Sequence, residues 1–312
     1  MKKGAIIAAV ILLAAGCLIF TGGLFAGGSL PPMTYEAMRY SVTEPFTGIR
    51  IDAHEANIEL IPSTDEVCSV AGAATEKFYW NVSVQDGVLT VMSVDERTWV
   101  DRLMSHADQP LQIRLPQQEY KTLTIDSRTG DIEVADAFLF ESVEITASTG
   151  DVVCFASATD HMKIKTNTGD IRVEGVLAGA LDLAVTTGRV DVSRVVCTGD
   201  LTLSVSTGRS TLKDVACKSF ATSGSTGDLT MENVIALDMI SIKRSAGDVR
   251  FTACDAQEIT VETGTGDVTG SLRSAMVFTT KTDTGSVDVP PSTDGGPCRI
   301  TTDTGDIKIT IP

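Results

Sequence analysis

Acidic side chains recur along the last two thirds of the chain at a spacing that could build a row of carboxylates. Most follow a Thr-Gly pair, as in Thr149-Gly150-Asp151 and Thr168-Gly169-Asp170, and successive units lie 19 or 20 residues apart. If the units stack at the strand spacing of about 4.8 Å, their carboxylates form a column that could bind a row of cations. The alternative is a structural role, which we call turn chemistry, in which each Asp accepts hydrogen bonds from the exposed amides of a tight turn.

The column is interrupted, which favours turn chemistry over a continuous calcium site. Arg189 and Arg209 replace the Asp in two adjacent units, between Asp170 and Asp228. This order indicates charge balancing between neighbouring units. The Gly-Gly-x-Gly-x-Asp pattern of calcium-binding repeats is absent from the sequence. We therefore expect no metal ion and no other cofactor.

The histidines and cysteines do not form a recognisable reaction centre. His54, His106 and His161 are scattered, and no phosphate-binding loop or dinucleotide fingerprint is present. The cysteines lack Cys-x-x-Cys spacing, so a zinc site has little support. Cys197 and Cys217 share one offset, nine residues beyond a repeat glycine, in adjacent units. Their Cα atoms would lie about 5 Å apart, within reach of a disulfide, although buried free thiols are the alternative.

The repeat predicts the elements that position these side chains. Apolar residues occupy the second and fourth positions after most repeat glycines and the seventh and fifth before them, with mostly polar residues between. This period of two marks strands with one buried face, and Val176, Val195, Val215 and Val234 indicate a third inward face. Glycine suits the corner because a tight turn often needs positive φ. The ten corner glycines are Gly130, Gly150, Gly169, Gly188, Gly208, Gly227, Gly247, Gly266, Gly285 and Gly305.

The fold class that follows is all-β. We predict a single-stranded parallel β-helix, or β-solenoid, of about ten coils of 19–20 residues over residues 121–312. Residues 46–120 carry shorter alternating runs and a Gln85-Asp86-Gly87 hairpin signal. We expect them to form a β-rich cap or irregular first coils, because a bare solenoid end exposes its core and a strand edge.

The amino-terminal residues predict a membrane anchor. Lys2 and Lys3 form a short cytoplasmic tail with Met1, residues 4–28 are mostly apolar and free of charge, and residues 29–45 form a linker. The apolar stretch is long enough for a transmembrane helix, and the lysines place the solenoid outside the cytoplasm. A cleaved signal peptide and a lipoprotein with Cys17 lipidated are alternatives. All three put the solenoid outside the membrane.

Charge excludes one class of partner. The formal net charge is −16, and two of the basic residues precede the apolar stretch. Such a surface repels nucleic acid phosphates and anionic lipid headgroups. We therefore expect no nucleic acid partner.

Several segments resemble a known family. Ile49-Arg50-Ile51, then Leu111-Gln112-Ile113-Arg114-Leu115-Pro116, then Leu123-Thr124-Ile125 before Thr129-Gly130-Asp131-Ile132 are similar to bacterial envelope proteins grouped as "putative adhesins". These carry a domain of unknown function with repeated Thr-Gly-Asp-Ile turns. The similarity covers nearly everything after Phe46. It implies a β-solenoid and an envelope location, and some relatives are associated with envelope stress systems.

The expected function is non-enzymatic: an adhesin or envelope scaffold module that binds an unidentified surface protein or glycan. A polysaccharide-processing enzyme is a less favoured alternative function, because the constant coil interval leaves no room for the long loops that wall the substrate groove of such β-helices. The second alternative is self-assembly through the C-terminal coil. That coil ends at Thr310-Ile311-Pro312, and its edge could pair with another copy unless Lys308 and Pro312 block it.

Overall fold

The computed structural model describes residues 36–99, 101 and 110–311. The chain divides into two compact units, Met1–Tyr35 with Arg97–His106, and Glu36–Glu96 with Ala107–Pro312. In the first unit, the Thr98 backbone N–H donates to an Asp101 carboxylate oxygen at 2.9 Å. The predicted transmembrane helix at 4–28 and residues 29–35 of the predicted linker lie outside the described residues, whereas Glu36–Val42 of that linker form a strand. Among those that are described, no helix is long and apolar enough to cross a bilayer.

The second unit is a β-solenoid, as predicted, and we name each coil by its corner glycine. One strand of each coil, on face A, precedes the corner, and one strand, on face B, follows it. Face A contains β2 (Gly48–Glu55), β6 (Val88–Asp95), β8 (Glu119–Thr129), β10 (Leu139–Thr149), β12 (Ser157–Thr168), β14 (Leu177–Thr187), β16 (Leu201–Thr207), β18 (Phe220–Thr226), β20 (Met239–Ala246), β22 (Glu258–Thr265), β24 (Met276–Thr284) and β26 (Gly296–Thr304).

Face B is a second sheet of parallel strands that lines the same core. It contains β3 (Ile58–Pro62), β7 (Leu111–Leu115), β9 (Ile132–Val134), β11 (Val152–Cys154), β13 (Ile171–Glu174), β15 (Val190–Cys197), β17 (Ser210–Cys217), β19 (Leu229–Ala236), β21 (Val249–Cys254), β23 (Val268–Leu272), β25 (Val287–Asp288) and β27 (Ile307–Thr310). The remaining strands are β1 (Glu36–Val42), β4 (Cys68–Ala74) and β5 (Phe78–Gln85).

The predicted columns of apolar side chains form the core. On face A, for example, Ile145 of β10 pairs in register with Ile164 of β12, and both are fully buried. The third inward face is confirmed, since Val176, Val195, Val215 and Val234 are at most 1% exposed. A Leu or Val side chain contributes about 1.5–3 kcal/mol when fully buried, so these columns supply the main driving force for stacking.

Two corners shape each coil, and they differ in backbone conformation. The ten corner glycines have φ between 128° and 151°, a region that is essentially restricted to glycine. A Cβ at Gly208 would also overlap the carbonyl oxygen of Gly188 in the neighbouring coil. Six residues later lies a second corner, at φ between 51° and 69° in five successive coils. It is occupied by Gly175, Arg194, Asp214, Asn233 and Ala253.

The order of the coils in space departs from their order in the sequence. Strand β22 pairs with β26, and β26 pairs in turn with β24. On face B, β27 likewise lies between β23 and β25. The Gly305 coil is therefore inserted between the Gly266 and Gly285 coils. The expectation that the C-terminal coil ends the stack with a free edge is wrong, because both of its edges are paired.

Apolar content explains why the Gly305 coil lies inside. Its inward residues Ile300, Ile307 and Ile309 are at most 2% exposed. The Gly285 coil has Thr280 where the Gly305 coil has Ile300, and its Val287 is 46% exposed. Burying the more apolar coil on both sides removes more hydrocarbon from water.

The opposite end of the stack shows the same insertion. The coil formed by β2 and β3 lies between the β6–β7 coil and the Gly130 coil, since β2 pairs with both β6 and β8. Outside β6 and β7, antiparallel strands complete the end: β5 pairs with β6, β4 with β7, and β1 with β4. Residues 46–120 thus supply both first coils and a cap. The Asp86-Gly87 hairpin turn between β5 and β6 is confirmed, with positive φ at both residues.

The corner geometry makes a direct prediction for stability. We expect Gly208→Ala to lower the free energy of unfolding by about 3 kcal/mol, because strained φ alone costs 1–3 kcal/mol and the new methyl group would overlap the Gly188 carbonyl. Gly175→Asn is the matched control. It lies at a second corner with φ of 69° and open space around its Cβ position, and asparagine tolerates that region. Urea denaturation measures both, and equal losses would contradict the assignment.

Candidate interaction surfaces

The corner carboxylates form a hydrogen-bonded row along the edge between faces A and B. The backbone N–H of Asp151 donates to Asp131 Oδ1 at 2.9 Å, and that of Asp170 donates to Asp151 Oδ1 at 2.8 Å. The Arg189 N–H donates to Asp170 Oδ1 at 2.7 Å. Each carboxylate therefore stabilises the turn of the next coil, which supports turn chemistry. Charge-assisted bonds of this kind are stronger than neutral ones.

The row stops at the two arginines and then resumes. Neither Arg189 nor Arg209 offers a side-chain acceptor, and the row restarts at Asp228, which accepts from Asp248 N–H at 3.1 Å. Asp267 Oδ1 accepts from the N–H of Asp306 at 2.8 Å, so the row follows the spatial order of the coils. Within the described part of the chain, no group of three His, Cys, Asp or Glu side chains could hold a metal ion.

On face A, the solvent side of four adjacent coils is rich in hydroxyl groups, and in the two middle coils, those of Gly208 and Gly227, strands β16 and β18 present only Ser, Thr and Ala there. We call this surface the hydroxyl face, and its members are Thr186, Thr202, Ser204, Ser206, Ser223, Ser225, Ser241 and Ser245, with Ala184 and Ala221 between them. Strand register places Ser204 beside Ser223 and Thr202 beside Ala221. The coil spacing of about 4.8 Å repeats these hydroxyls regularly. A shallow depression of about 360 Å³ lies within this surface.

The two outer coils of the hydroxyl face also carry charge on the solvent side: Asp182 lies in β14, and Lys243 lies between Ser241 and Ser245 in β20. Lys243 forms an ion pair with Glu262 at 3.3 Å on one side. On the other, Lys163 pairs with Glu144 at 3.1 Å. Asp182 lies at the margin and accepts a hydrogen bond from the Thr202 hydroxyl at 2.8 Å. In a chain with a net charge of −16, this face is a locally neutral surface whose hydroxyls can both donate and accept hydrogen bonds.

Beneath this surface lies an arginine within the core. Arg244 is 3% exposed. Its guanidinium donates to the Gly227 carbonyl at 2.9 Å and to the Ser210 hydroxyl at 3.3 Å. The absent side chain of Gly224 leaves room for it, since a Cβ there would lie 3.1 Å from a guanidinium nitrogen. Burial lowers the pKa of Arg244, yet a guanidinium keeps its charge in proteins. The side chain therefore braces coils two apart.

Among the remaining candidate residues that the structure describes, only one pair is brought together. Cys197 and Cys217 lie at matching positions of adjacent coils as buried free thiols. Burial raises the pKa of Cys197 to about 11 and that of Cys217 to about 12, so thiolate reactivity is suppressed. A disulfide between them stays a prediction for an oxidising compartment. His54 hydrogen-bonds Ser93, and His161 lies beside Asp160 on the surface. Cys17 and His106 lie outside the described residues.

Comparison with known proteins identifies the family. The family model described as Toastrack DUF4097 matches the chain over residues 46–205 and again over 196–312. The chain belongs to the Toastrack DUF4097 family. The predicted resemblance to envelope proteins with repeated Thr-Gly-Asp turns is confirmed by this match. Comparison with curated proteins gives no match.

Solved structures similar to this Toastrack chain share only distant likeness with it. One is described as a "putative adhesin" from Bacteroides fragilis, at 14% identity and a TM-score of 0.47, covering 90% of this chain and 99% of that one. Another "putative adhesin", from Parabacteroides merdae, has 13% identity and a TM-score of 0.47, covering 89% and 96%. A "putative lipid binding protein" from Parabacteroides distasonis has 9% identity and a TM-score of 0.35, covering 88% and 97%. Likeness at this level says nothing about a shared ligand.

The carboxylate row predicts how stability depends on pH. Asp306 accepts from the Ser286 backbone N–H at 2.7 Å and from its hydroxyl at 2.9 Å, and these bonds lower the pKa of Asp306 below 3.8. A lowered pKa stabilises the fold above the ordinary value, and this stabilisation is lost as pH falls through the lowered value. We expect Asp306→Asn, which keeps an acceptor without charge, to reduce Tm at pH 7.

The same comparison at about pH 2 should give a smaller difference between Asp306→Asn and the native chain, because the native carboxyl takes up a proton as pH falls through its lowered pKa. Asp294→Asn, in the loop that crosses from the Gly285 coil to the Gly305 coil, is the control and should leave Tm unchanged at both pH values. A difference for Asp306→Asn that is equally large at both pH values would contradict a role for its charge.

Proposed function

We propose that this Toastrack protein is a non-enzymatic interaction module, anchored in the membrane by residues 4–28 and displayed outside the cytoplasm. The single observation that carries the binding role is the hydroxyl face. It is an array of Ser and Thr side chains on a parallel sheet, uncharged in its two middle coils, within an otherwise acidic chain. The finer description, an adhesin or envelope scaffold, is part of this proposal.

The constancy of the coils supports a binding role over catalysis. Corner glycines recur every 19 or 20 residues from Gly130 to Gly305, so no long loop leaves these coils to wall a substrate groove. Two depressions at the surface, of about 360 and 380 Å³, are lined mainly by Thr, Ser and Gly, and a third of about 280 Å³ is lined by Lys243, Arg244, Glu262 and Asp303 with Thr and Gly. Binding sites for catalysis are more often concave and apolar, with convergent polar groups.

An uncharged glycan is the ligand class that fits the hydroxyl face. Sugar hydroxyls donate and accept hydrogen bonds, as do Ser204 and Ser223. The regular spacing of the hydroxyls suits a linear polymer that can contact several coils at once, which raises avidity without strong individual contacts. An anionic polymer fits poorly, because the surrounding surface is acidic.

A charge placed on the hydroxyl face tests this ligand class. We expect Ser204→Glu with Ser223→Glu to weaken binding of the full-length chain to neutral envelope glycans at least about tenfold, because a carboxylate buried without a partner is costly. The matched control is Thr211→Glu with Thr230→Glu, paired residues of the same two coils on face B. It should change binding less than about twofold.

Glycan arrays and peptidoglycan pull-down with the full-length chain in detergent provide the measurement. Equal losses in the two double variants would contradict the assignment to face A. Release of cleaved sugar from any bound glycan would overturn the non-enzymatic role.

The anchor is tested separately with Cys17. We expect Cys17→Ser to leave the full-length chain in the membrane fraction, because residues 4–28 alone are long enough to span the hydrocarbon layer of about 30 Å. Protease added to intact cells should digest the solenoid. Loss of Cys17→Ser from the membrane would instead support the lipoprotein alternative, and an amino-terminally shortened soluble chain would support secretion.

A further inference from the structure

The Gly285 coil forms an end of the stack, and its face A strand has one open edge. Strand β24 pairs with β26 along its whole length, from Met276 opposite Gly296 to Thr284 opposite Thr304. Of the strands that the structure describes, none pairs with the other edge of β24. An edge strand of nine residues presents a row of unpaired N–H and C=O groups, which is a template for pairing with another chain.

The core is also exposed at this end. Val287 of the Gly285 coil is 46% exposed, whereas Ile307, its neighbour in the same column, is fully buried. The opposite end of the stack differs, since antiparallel strands close it there and bury Phe78 and Trp80 to 2% exposure. Strands β1 and β5 at that end each also have one edge without a described partner, so the two ends differ in how far the apolar core is covered.

The hydrogen-bond pattern identifies which residues face outward. The Gly305 N–H donates to the Thr284 carbonyl at 2.9 Å. Alternate residues of a strand bond to opposite sides, so the even-numbered residues of β24 bond to β26. The odd-numbered residues, including Lys281 and Asp283, direct their N–H and C=O groups to the open edge. Any strand that joins β24 must pair with these residues.

Lys281 and Asp283 make the open edge self-complementary. They form an exposed ion pair at 3.1 Å within one chain. If a second copy of β24 joins antiparallel about a two-fold axis centred on Thr282, each Lys281 lies directly opposite the partner's Asp283. A two-fold axis centred on Lys281 would instead place the two copies of Lys281 directly opposite each other. An axis centred on Thr280 would place the two copies of Lys281 on a diagonal, so like charges would again be neighbours. Opposite charges across a strand pair stabilise it, and like charges destabilise it.

We propose that this edge binds a second copy of the chain, forming a two-fold symmetric dimer through antiparallel pairing of β24 with the partner's β24. The same surface is used by both copies, so the interface is closed and does not propagate into a fibre. Face B supports this closure. There β25 has two residues, and Pro290 and Pro291 follow shortly after it, where proline has no N–H to extend the ladder.

Two charge reversals test the proposed register. In Lys281→Asp every cross-pair becomes Asp opposite Asp, and in Asp283→Lys every cross-pair becomes Lys opposite Lys. With two such pairs per dimer and up to about 1 kcal/mol each, each variant alone should dimerise at least about tenfold more weakly. Mixed in equal amounts, the two variants should form a heterodimer with affinity near that of the native chain, because each cross-pair then places a carboxylate of one variant opposite an ammonium group of the other.

The full-length chain in detergent is the sample, with sedimentation equilibrium for mass and a mass tag on one variant to recognise the heterodimer. Lys308→Asp is the matched control, since Lys308 pairs with Asp288 at 3.9 Å on face B and lies off the proposed interface. It should leave dimerisation unchanged. The exposed Lys281–Asp283 pair contributes little to folding, so Tm of each variant should stay near the native value.

Several outcomes would overturn the proposal. A native chain that stays monomeric at the highest soluble concentration has no such interface. Dimers that ignore both charge reversals would point to another contact, such as the apolar residues 4–28. Variants that fail to recover dimers on mixing would refute the Thr282-centred register, and fibres would refute the closed two-fold interface. Loss of glycan binding through the hydroxyl face would leave all of these results unaffected.

Discussion

The close approach of backbone to backbone at the corner glycine is the constraint on which the rest of the structure depends. At each corner the chain adopts φ between 128° and 151°, and the carbonyl of the neighbouring coil occupies the space that a side chain would need. That contact fixes the height of each coil and the register of its neighbours. The apolar columns and the hydrogen-bonded carboxylate row both follow from it, because equivalent residues are brought directly above one another.

This constraint explains what could be predicted from the sequence and what could not. The first corner admits only glycine, so a glycine recurs at a fixed interval in the sequence, and the strands can be predicted on either side of it. The second corner has φ near 50–70°, which Arg194, Asp214 and Asn233 tolerate, so it leaves no single-residue mark. The order of the terminal coils was also hidden, since the Gly285 and Gly305 coils keep the same interval. A comparison of apolar content, Thr280 against Ile300, was the signal available.

The functional surfaces were harder to predict than the fold for a related reason. Polar residues between buried ones are compatible with a solenoid whether or not they bind a ligand, and the hydroxyl face differs only in lacking charge over its two middle coils. Arg244 lies three residues before the corner, a position that the alternation places inward, although arginine is almost never fully buried unless it is paired. Its placement requires Gly224 and Ser210 in other coils, and such a dependence between distant positions becomes visible only once the stacking order is known.

The order of stacking is tested most directly by cross-linking engineered cysteines between coils on the solvent side of face A. Thr260 of the Gly266 coil lies beside Arg299 of the Gly305 coil, at the coil spacing of about 4.8 Å, which a disulfide can bridge. Thr279 of the Gly285 coil lies one coil further away, about 10 Å from Thr260. The account predicts that Thr260→Cys cross-links with Arg299→Cys and not with Thr279→Cys. Cross-linking to Thr279→Cys alone would show that the coils stack in sequence order and would contradict it.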